Sequence, residues 1–410
     1  MTFEANTLKK AKRILAKYKL CDRCLGRQFP GKVMNNRARG TSLRKAVDQI
    51  PLNSDSCFIC SHLMRSLFDI GRRAVDATHN YQFSTFAVGT TISPRLSESE
   101  DALRAEFKLR GGETIKSEIT REVARTIARE TGRQRSFGNH DIALLIDPLL
   151  GSTQVTPSSV FIQGRYTKRI RGISQKRSKC TDCGSGCPSC DYTGLSKSPS
   201  IEGEIGGYLL AKFGGSRVII SWIGGEDHQS LVLGIGRPFF AEVQKPMKRW
   251  PIMRAKNLKN GVRVTGVKVL PGPPTFSPKF RLRVRATIDL VEPISKNVVD
   301  RLEASFTHKE VTAYSPNKRR YFRKMVYSVK AVNIKEHGFT ARIYCDGGLN
   351  IKRLVSGERG EVSPSVSEVL QTQCTTRKER PFDVLSVALE RSVSRVTQIA
   401  QETPITRRYR

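Results

Sequence analysis

Eight of the ten cysteines fall into four C-x-x-C pairs: Cys21/Cys24, Cys57/Cys60, Cys180/Cys183 and Cys187/Cys190. Thiolates held two by two in chelating turns meet the closed tetrahedral demand of structural zinc, so these eight residues are the predicted metal ligands, for one or two ions. A redox dithiol is the alternative, but such a motif stands singly ahead of a helix and here the motifs come in pairs. Only Gly184, Ser185 and Gly186 separate the last two pairs. Small residues suit so tight a knuckle, because the chain must reverse through backbone angles that glycine reaches freely. Cys345 and Cys374 have no partner motif and read as buried thiols.

A second chemical candidate is the acidic turn Gly224-Gly225-Glu226-Asp227, which follows the apolar run Val218 to Ile223 and precedes Leu233-Gly-Ile-Gly-Arg-Pro-Phe-Phe240. Neighbouring cations keep an acid in such a turn ionised, able to attack or to abstract a proton. A turn-forming aspartate is the other reading, and from the residues alone both stand. Other reaction signatures are missing. There is no G-x-x-x-x-G-K-[ST] loop, no H-E-x-x-H, and Gly234-x-Gly236 lacks the third glycine of a dinucleotide fingerprint. ATP chemistry, zinc hydrolysis and a Rossmann methyltransferase therefore lack their parts.

These groups sit in a chain with 71 Lys and Arg against 37 Asp and Glu, a formal charge of +34. That surplus points to a polyanionic partner, since phosphates release counterions when cations neutralise them. Two segments interleave rings with cations, Gly164–Arg171 and Lys318–Lys324. Within them Arg165, Tyr166, Lys168, Arg169, Arg171, Lys318, Arg319 and Arg320 are the candidate RNA contacts. Phosphates attract Arg and Lys, and unstacked bases attract rings. A solvated face is the plain alternative.

The elements that must position these residues show in the hydrophobic spacing. Leu8, Ala11, Leu15 and Tyr18 predict a basic-faced helix running into Cys21. Tyr81, Phe83, Phe86 and Val88 predict a strand, Ile115 to Ile127 a helix ending at Gly132, and Ile142 to Ile146 a buried strand. Gly164 to Lys197 reads as a basic linker tied by metal. Ile201, Ile205, Leu209 and Phe213 make a helix stripe that stops at Gly214-Gly215. The second half is rich in strands. Phe280, Leu282, Val284, Ala286 and Ile288 alternate with Arg281, Arg283 and Arg285, whose face is either solvated or turned to RNA. Met325 to Val329 and Thr340 to Cys345 predict a hairpin around Glu336-His337-Gly338. At 410 residues and 38% hydrophobic the chain has room for two or three globular domains. It has no apolar run of membrane-spanning length and no secretory signal at its start, and with paired thiols this predicts a reducing cytoplasm.

Five motifs in this order resemble the archaeal-type tRNA pseudouridine synthase family that acts on uridines 54 and 55. They are Cys21-Asp-Arg-Cys-Leu-Gly-Arg-Gln-Phe29 with Cys57 and Cys60, the Cys180–Gly194 knuckle, the Gly-Gly-Glu-Asp turn, Gly234-x-Gly-Arg-Pro-Phe, and Gly347–Gly357 with Pro364–Glu368. The resemblance runs from about Cys21 to Leu389. It implies a multidomain α+β protein: an N-terminal helical segment with a zinc site (1–75), a THUMP-like RNA-binding domain of α/β type (76–165), a basic linker with the zinc knuckle (166–198), and a pseudouridine synthase domain with a mixed, mainly antiparallel sheet (199–410). By resemblance Asp227 is the catalytic aspartate, and Arg237, Val284, Asn350 and Lys352 stand at substrate-binding positions. The reaction it implies breaks the uridine C1′–N1 bond and rejoins the base through C5 without a catalytic cofactor. The partner it implies is the T arm and elbow of tRNA, bound by a monomer with no membrane.

The departures are as specific as the matches. The family turn reads Gly-Arg-Glu-Asp and carries another Asp and an Arg shortly after; here those positions are Gly225, Gln229 and Leu231. The family's stacking tyrosine before Arg-Ala is Val284, with Tyr321 or Phe280 as the rings that could substitute, and a second tyrosine position is Asn350. Two functions are therefore carried forward, an active synthase and a homologue that binds and remodels the tRNA elbow with little or no isomerase activity.

Overall fold

In the computed structural model, which describes residues 3–31, 35–50, 56–183, 185–274, 279–315 and 319–390, the expected first helix runs from Ala5 to Lys17 and buries Ala11 and Ile14. It leads into a helix pair, Asp22–Arg27 and Asn36–Ala46. The two backbones nearly touch: a Cβ on Gly40 would lie 1.8 Å from the Asp22 carbonyl oxygen, so only glycine fits there. Arg44 fastens the pair through Asp22 Oδ1 at 2.9 Å and the Leu20 carbonyl at 2.5 Å.

The same unit holds a four-stranded sheet in the order Gln134–Arg135, Thr85–Thr90, Ile142–Asp147, Ser152–Pro157. The first expected strand thus begins at Thr85, while Tyr81 and Phe83 precede it. Helix Ile115–Thr131 buries Ile119, Val123 and Ile127, starts at the Thr114 cap and stops at left-handed Gly132. A buried ionic cluster joins the helices to the cysteine segment. Arg27, fully buried, donates to Glu100 at 2.7 Å, to Glu118 at 2.9 Å and to the Cys24 sulfur at 3.4 Å. All of this lies in one compact unit, Met1–Val160 with Leu209–Val218 and Val243–Pro251.

The other unit, Phe161–Tyr208, Ile219–Glu242 and Ile252–Arg410, is built on a twelve-stranded sheet. Its centre runs Lys309–Ser315, Arg320–Lys335, Gly338–Asp346, Phe280–Leu290, Phe382–Leu389, Val232–Gln244, Val160–Lys168 and Val262–Leu270. Phe382–Leu389 lies parallel to Val232–Gln244, and antiparallel pairs surround it, so the sheet is mixed and mainly antiparallel. The hairpin expected around residues 336–338 is present, with strands ending at Lys335 and starting at Gly338. The linker reading of Gly164 onward is corrected, since Val160–Lys168 is a strand with Val160, Ile162, Gly164, Tyr166 and Lys168 facing inward. A lysine at an inward position hides the alternation that marks a strand. Helix Lys296–Ser305, which buries Val299 and Leu302, was not legible in the spacing. Among the described residues no helix is long and apolar enough to cross a membrane.

The helix-pair contact gives a direct test. Gly40→Ala drives a methyl into the Asp22 carbonyl and should destabilise the first unit by about 1–3 kcal/mol, whereas Lys45→Ala on the exposed face of the same helix should change it by less than about 0.5 kcal/mol. Denaturant unfolding of the two variants checks the difference.

Candidate active site

Strand Arg217–Trp222 ends in the turn that carries Asp227. Such a turn exposes a run of carbonyls, and the fold answers nearly every one with a side chain. Arg237 donates to Ile223 O at 2.7 Å and Gly225 O at 3.1 Å. Gln175 reaches Gly224 O at 3.2 Å. Lys168 reaches His228 O at 3.2 Å and Asp227 O at 3.4 Å, and Arg171 takes Gln229 O. Gly224, at φ +74°, has no room for a Cβ, which would meet Arg237 and the Phe280 ring at 2.8 Å each.

Glu226 is the hub of this clamp. Its fully buried carboxylate accepts from Tyr166 Oη at 2.8 Å and Arg237 Nε at 3.0 Å, and its other oxygen, without a hydrogen-bond donor, lies 3.8 Å from Lys168 Nζ. Burial pulls the Lys168 ammonium below its usual range while Glu226 resists, and burial beside Glu226 pushes the Tyr166 phenol well above its own.

Asp227 points the other way, into a cavity of about 410 Å³ lined by Gly224–Asp227, Arg237, Phe280, Leu282, Gly348–Lys352 and Phe382. Its Oδ2 accepts from Lys352 Nζ at 2.5 Å, its Oδ1 from Gln229 N at 2.8 Å, and His228 Nδ1 stands 3.3 Å from Oδ1. Burial opposes the charge, but the bonds from Lys352 and Gln229 outweigh it and hold the carboxyl below the ordinary aspartate range. The result is an ionised acid, bonded on both oxygens, at the wall of a cavity of small-molecule size.

Two family descriptions match the chain: "Pus10 THUMP domain, archaeal" over residues 70–147, and "Pus10, C-terminal" over 161–269 and 278–388. The chain belongs to the Pus10 family. Proteins named tRNA pseudouridine synthase Pus10 are similar along nearly their whole length. That of Nitrosopumilus maritimus is 34% identical over 89% of this chain and 94% of its own. Those of Cenarchaeum symbiosum and Pyrococcus furiosus are 31% and 27% identical, covering 91% and 88% of this chain and 91% and 94% of theirs. Among solved structures, the crystal structure of a Cbf5-Nop10-Gar1 complex aligns at 10% identity with a TM-score of 0.28 over 54% of this chain and 58% of that one, too low to bear on the fold.

The positions expected to depart from the family pattern each have a defined place in the structure. Val284 is fully buried in the sheet and does not line the cavity, which corrects its reading as a substrate contact. Two rings line the cavity, Phe382 and Phe280, the latter four residues earlier than Val284 on the same face and packed against Gly224 and Gly347. Asn350 caps helix Ile351–Ser356 by accepting from Lys352 N and Arg353 N, and so points Lys352 at Asp227. Arg237 lines the cavity floor but spends its donors on the turn. Asp383, which spacing alone did not mark, accepts from Arg171, Arg285 and Leu231 N, and these bonds hold it below the ordinary range against its burial. A lone acid in the apolar run Phe382–Leu389 was the available signal.

The basic candidates divide sharply. Tyr166 and Lys168 are fully buried, which corrects their reading as RNA contacts. Arg165 and Arg171 are committed to internal partners, Arg165 to the carbonyls of Gly236 and Val387. Arg169, Arg319 and Arg320 are exposed, and Lys318 lies outside the described residues.

Both four-cysteine sets converge and could hold a metal ion. Sulfur separations of 3.7 Å (Cys21–Cys60), 3.9 Å (Cys180–Cys187), 3.7 Å (Cys183–Cys190) and 3.8 Å (Cys187–Cys190) match the edge, about 3.8 Å, of a tetrahedron drawn at a metal–sulfur distance of about 2.3 Å. Cys345 and Cys374 are buried outside either set, and burial pushes the Cys345 thiol up to about 12. The first set is wholly buried and the second mostly half-exposed. Elemental analysis should therefore find two ions per chain, a chelator should strip the second set first, and Cys190→Ser should leave one.

Proposed function

We propose that this chain is a tRNA pseudouridine synthase that isomerises uridine 54 or 55 of the T arm, or both, with Asp227 as the catalytic carboxylate. The observation that carries the reading is the ionised, doubly bonded Asp227 at the wall of a cavity that also holds the Phe280 ring. A uridine flipped from its stack enters such a pocket and lays its base against the ring. Asp227 then attacks C1′ or removes a sugar proton, the C1′–N1 bond breaks, and the base rotates and rejoins through C5. Every atom of the uridine is retained, so the reaction asks for no co-substrate. Lys352 holds the carboxylate charged and aimed, and the clamp around Glu226 keeps the turn from moving.

The ions we propose for the two cysteine sets are zinc, as structural closures, in a cytoplasm that keeps thiols reduced. The tRNA elbow is the proposed partner of the basic surface, bound by a single copy. The competing reading, an elbow binder without isomerase activity, draws on the loss of ring positions at Val284 and Asn350. Phe280 and the retained Asp227–Lys352 pair weigh against it.

Asp227→Asn keeps shape and hydrogen bonding but removes the charge, so single-turnover formation of pseudouridine should fall by at least ~1,000-fold while tRNA affinity barely changes. An elbow binder would be indifferent to the substitution. Lys352→Met removes the bond that lowers the Asp227 pKa, so that pKa rises and the acid limb of the rate–pH profile moves to higher pH. An acid limb that stays in place would deny Lys352 this role.

A further inference from the structure

The face of the large sheet turned away from Leu282, Val284 and Ala286 carries Arg281, Arg283 and Arg285, whose purpose the sequence left open. Register sets Tyr344 directly beside Arg283, Arg342 beside Arg285, and Lys330 beside Arg342. Lys330, Arg342 and Arg285 thus form a row of like charges directly opposite one another across three strands. Such an arrangement costs stability unless something anionic lies over it. Only Arg285 of the row has a carboxylate within ion-pair distance among the described residues, Asp383.

A second observation bears on what lies over the row. The Arg283 guanidinium sits 4.7 Å from the Tyr344 ring centre, Arg281 sits 4.6 Å from that of Tyr327, and the two rings are 4.8 Å apart. Guanidinium planes backed by rings are surfaces on which unpaired bases stack. The row also reaches the active site. Asp383, the partner of Arg285, accepts from Leu231 N and from Arg171, which holds the segment just after Asp227.

We propose that this face binds an unpaired segment of the RNA substrate, its phosphates along Lys330, Arg342 and Arg285 and one base on the Arg283–Tyr344 stack. The proposal rests on the RNA substrate of the preceding section and not on the chemistry there. The test is equilibrium binding of unmodified tRNA transcript by the full chain across a range of salt. The double variant Lys330→Ala/Arg342→Ala should bind at least tenfold more weakly in low salt, and its log–log salt slope should be shallower by about 1.4, or ~0.7 for each single-strand phosphate that no longer meets a cation. Its thermal midpoint should hold or rise, because like-charge repulsion is relieved. Tyr344→Leu should weaken binding at least threefold with the slope unchanged, since it removes the stack and no charge. Variants with wild-type affinity and slope would overturn the proposal. A wild type that binds tRNA on this face yet makes no pseudouridine would overturn the synthase reading alone, and one that binds no tRNA would overturn both.

Discussion

The second unit depends on how one carboxylate is buried. The Glu226 side chain has no access to solvent and stands among Arg237, Lys168 and Tyr166. A charge taken out of water costs several kcal/mol unless partners replace its hydration, and two of the partners here, Arg237 and Lys168, are the groups that also hold carbonyls of the Asp227 turn. Satisfying Glu226 and fixing the turn are thus one interaction. The strand Val160–Lys168 delivers Tyr166 and Lys168 to it, and the Gly-x-Gly-Arg-Pro-Phe motif delivers Arg237.

That arrangement separates two neighbouring acids by function. Glu226 faces inward and is neutralised by buried cations, whereas Asp227 faces the cavity and keeps its charge through Lys352 and a backbone N–H. Close to the turn a further acid and cation meet, Asp383 accepting from Arg171 and from Leu231 N. These charges come from other strands and from the segment that follows one of them.

The first unit repeats the principle. Arg27 is fully buried against Glu100 and Glu118 and donates to the Cys24 sulfur. Four thiolates around a divalent ion carry a net negative charge, and a guanidinium hydrogen bond to one sulfur offsets part of it. The cysteine set, the helix pair and the helix Ile115–Thr131 are therefore tied through one arginine, which sits inside the Cys21–Phe29 motif itself.

Local patterns in the chain were enough to mark the eight paired cysteines, the acid turn, the helix at Ile115–Thr131 and the hairpin around residue 337, because each is encoded by short spacing. Tertiary structure decided the rest. Alternation says that Arg281 and Leu282 face opposite ways, but which face meets solvent depends on what packs there. Lys168 has the look of a phosphate contact because a run of cations is read as surface, and Glu226, which draws it inside, lies far along the chain. The choice between Val284 and Phe280 was open for a like reason: both share one face of the strand, and only the tertiary packing of Phe280 against Gly224 and Gly347 places it at the cavity while Val284 is buried. A charge's role is set by its partner, and partners brought together by a sheet of non-sequential strands, as Arg171 and Asp383 are, leave no mark in local spacing.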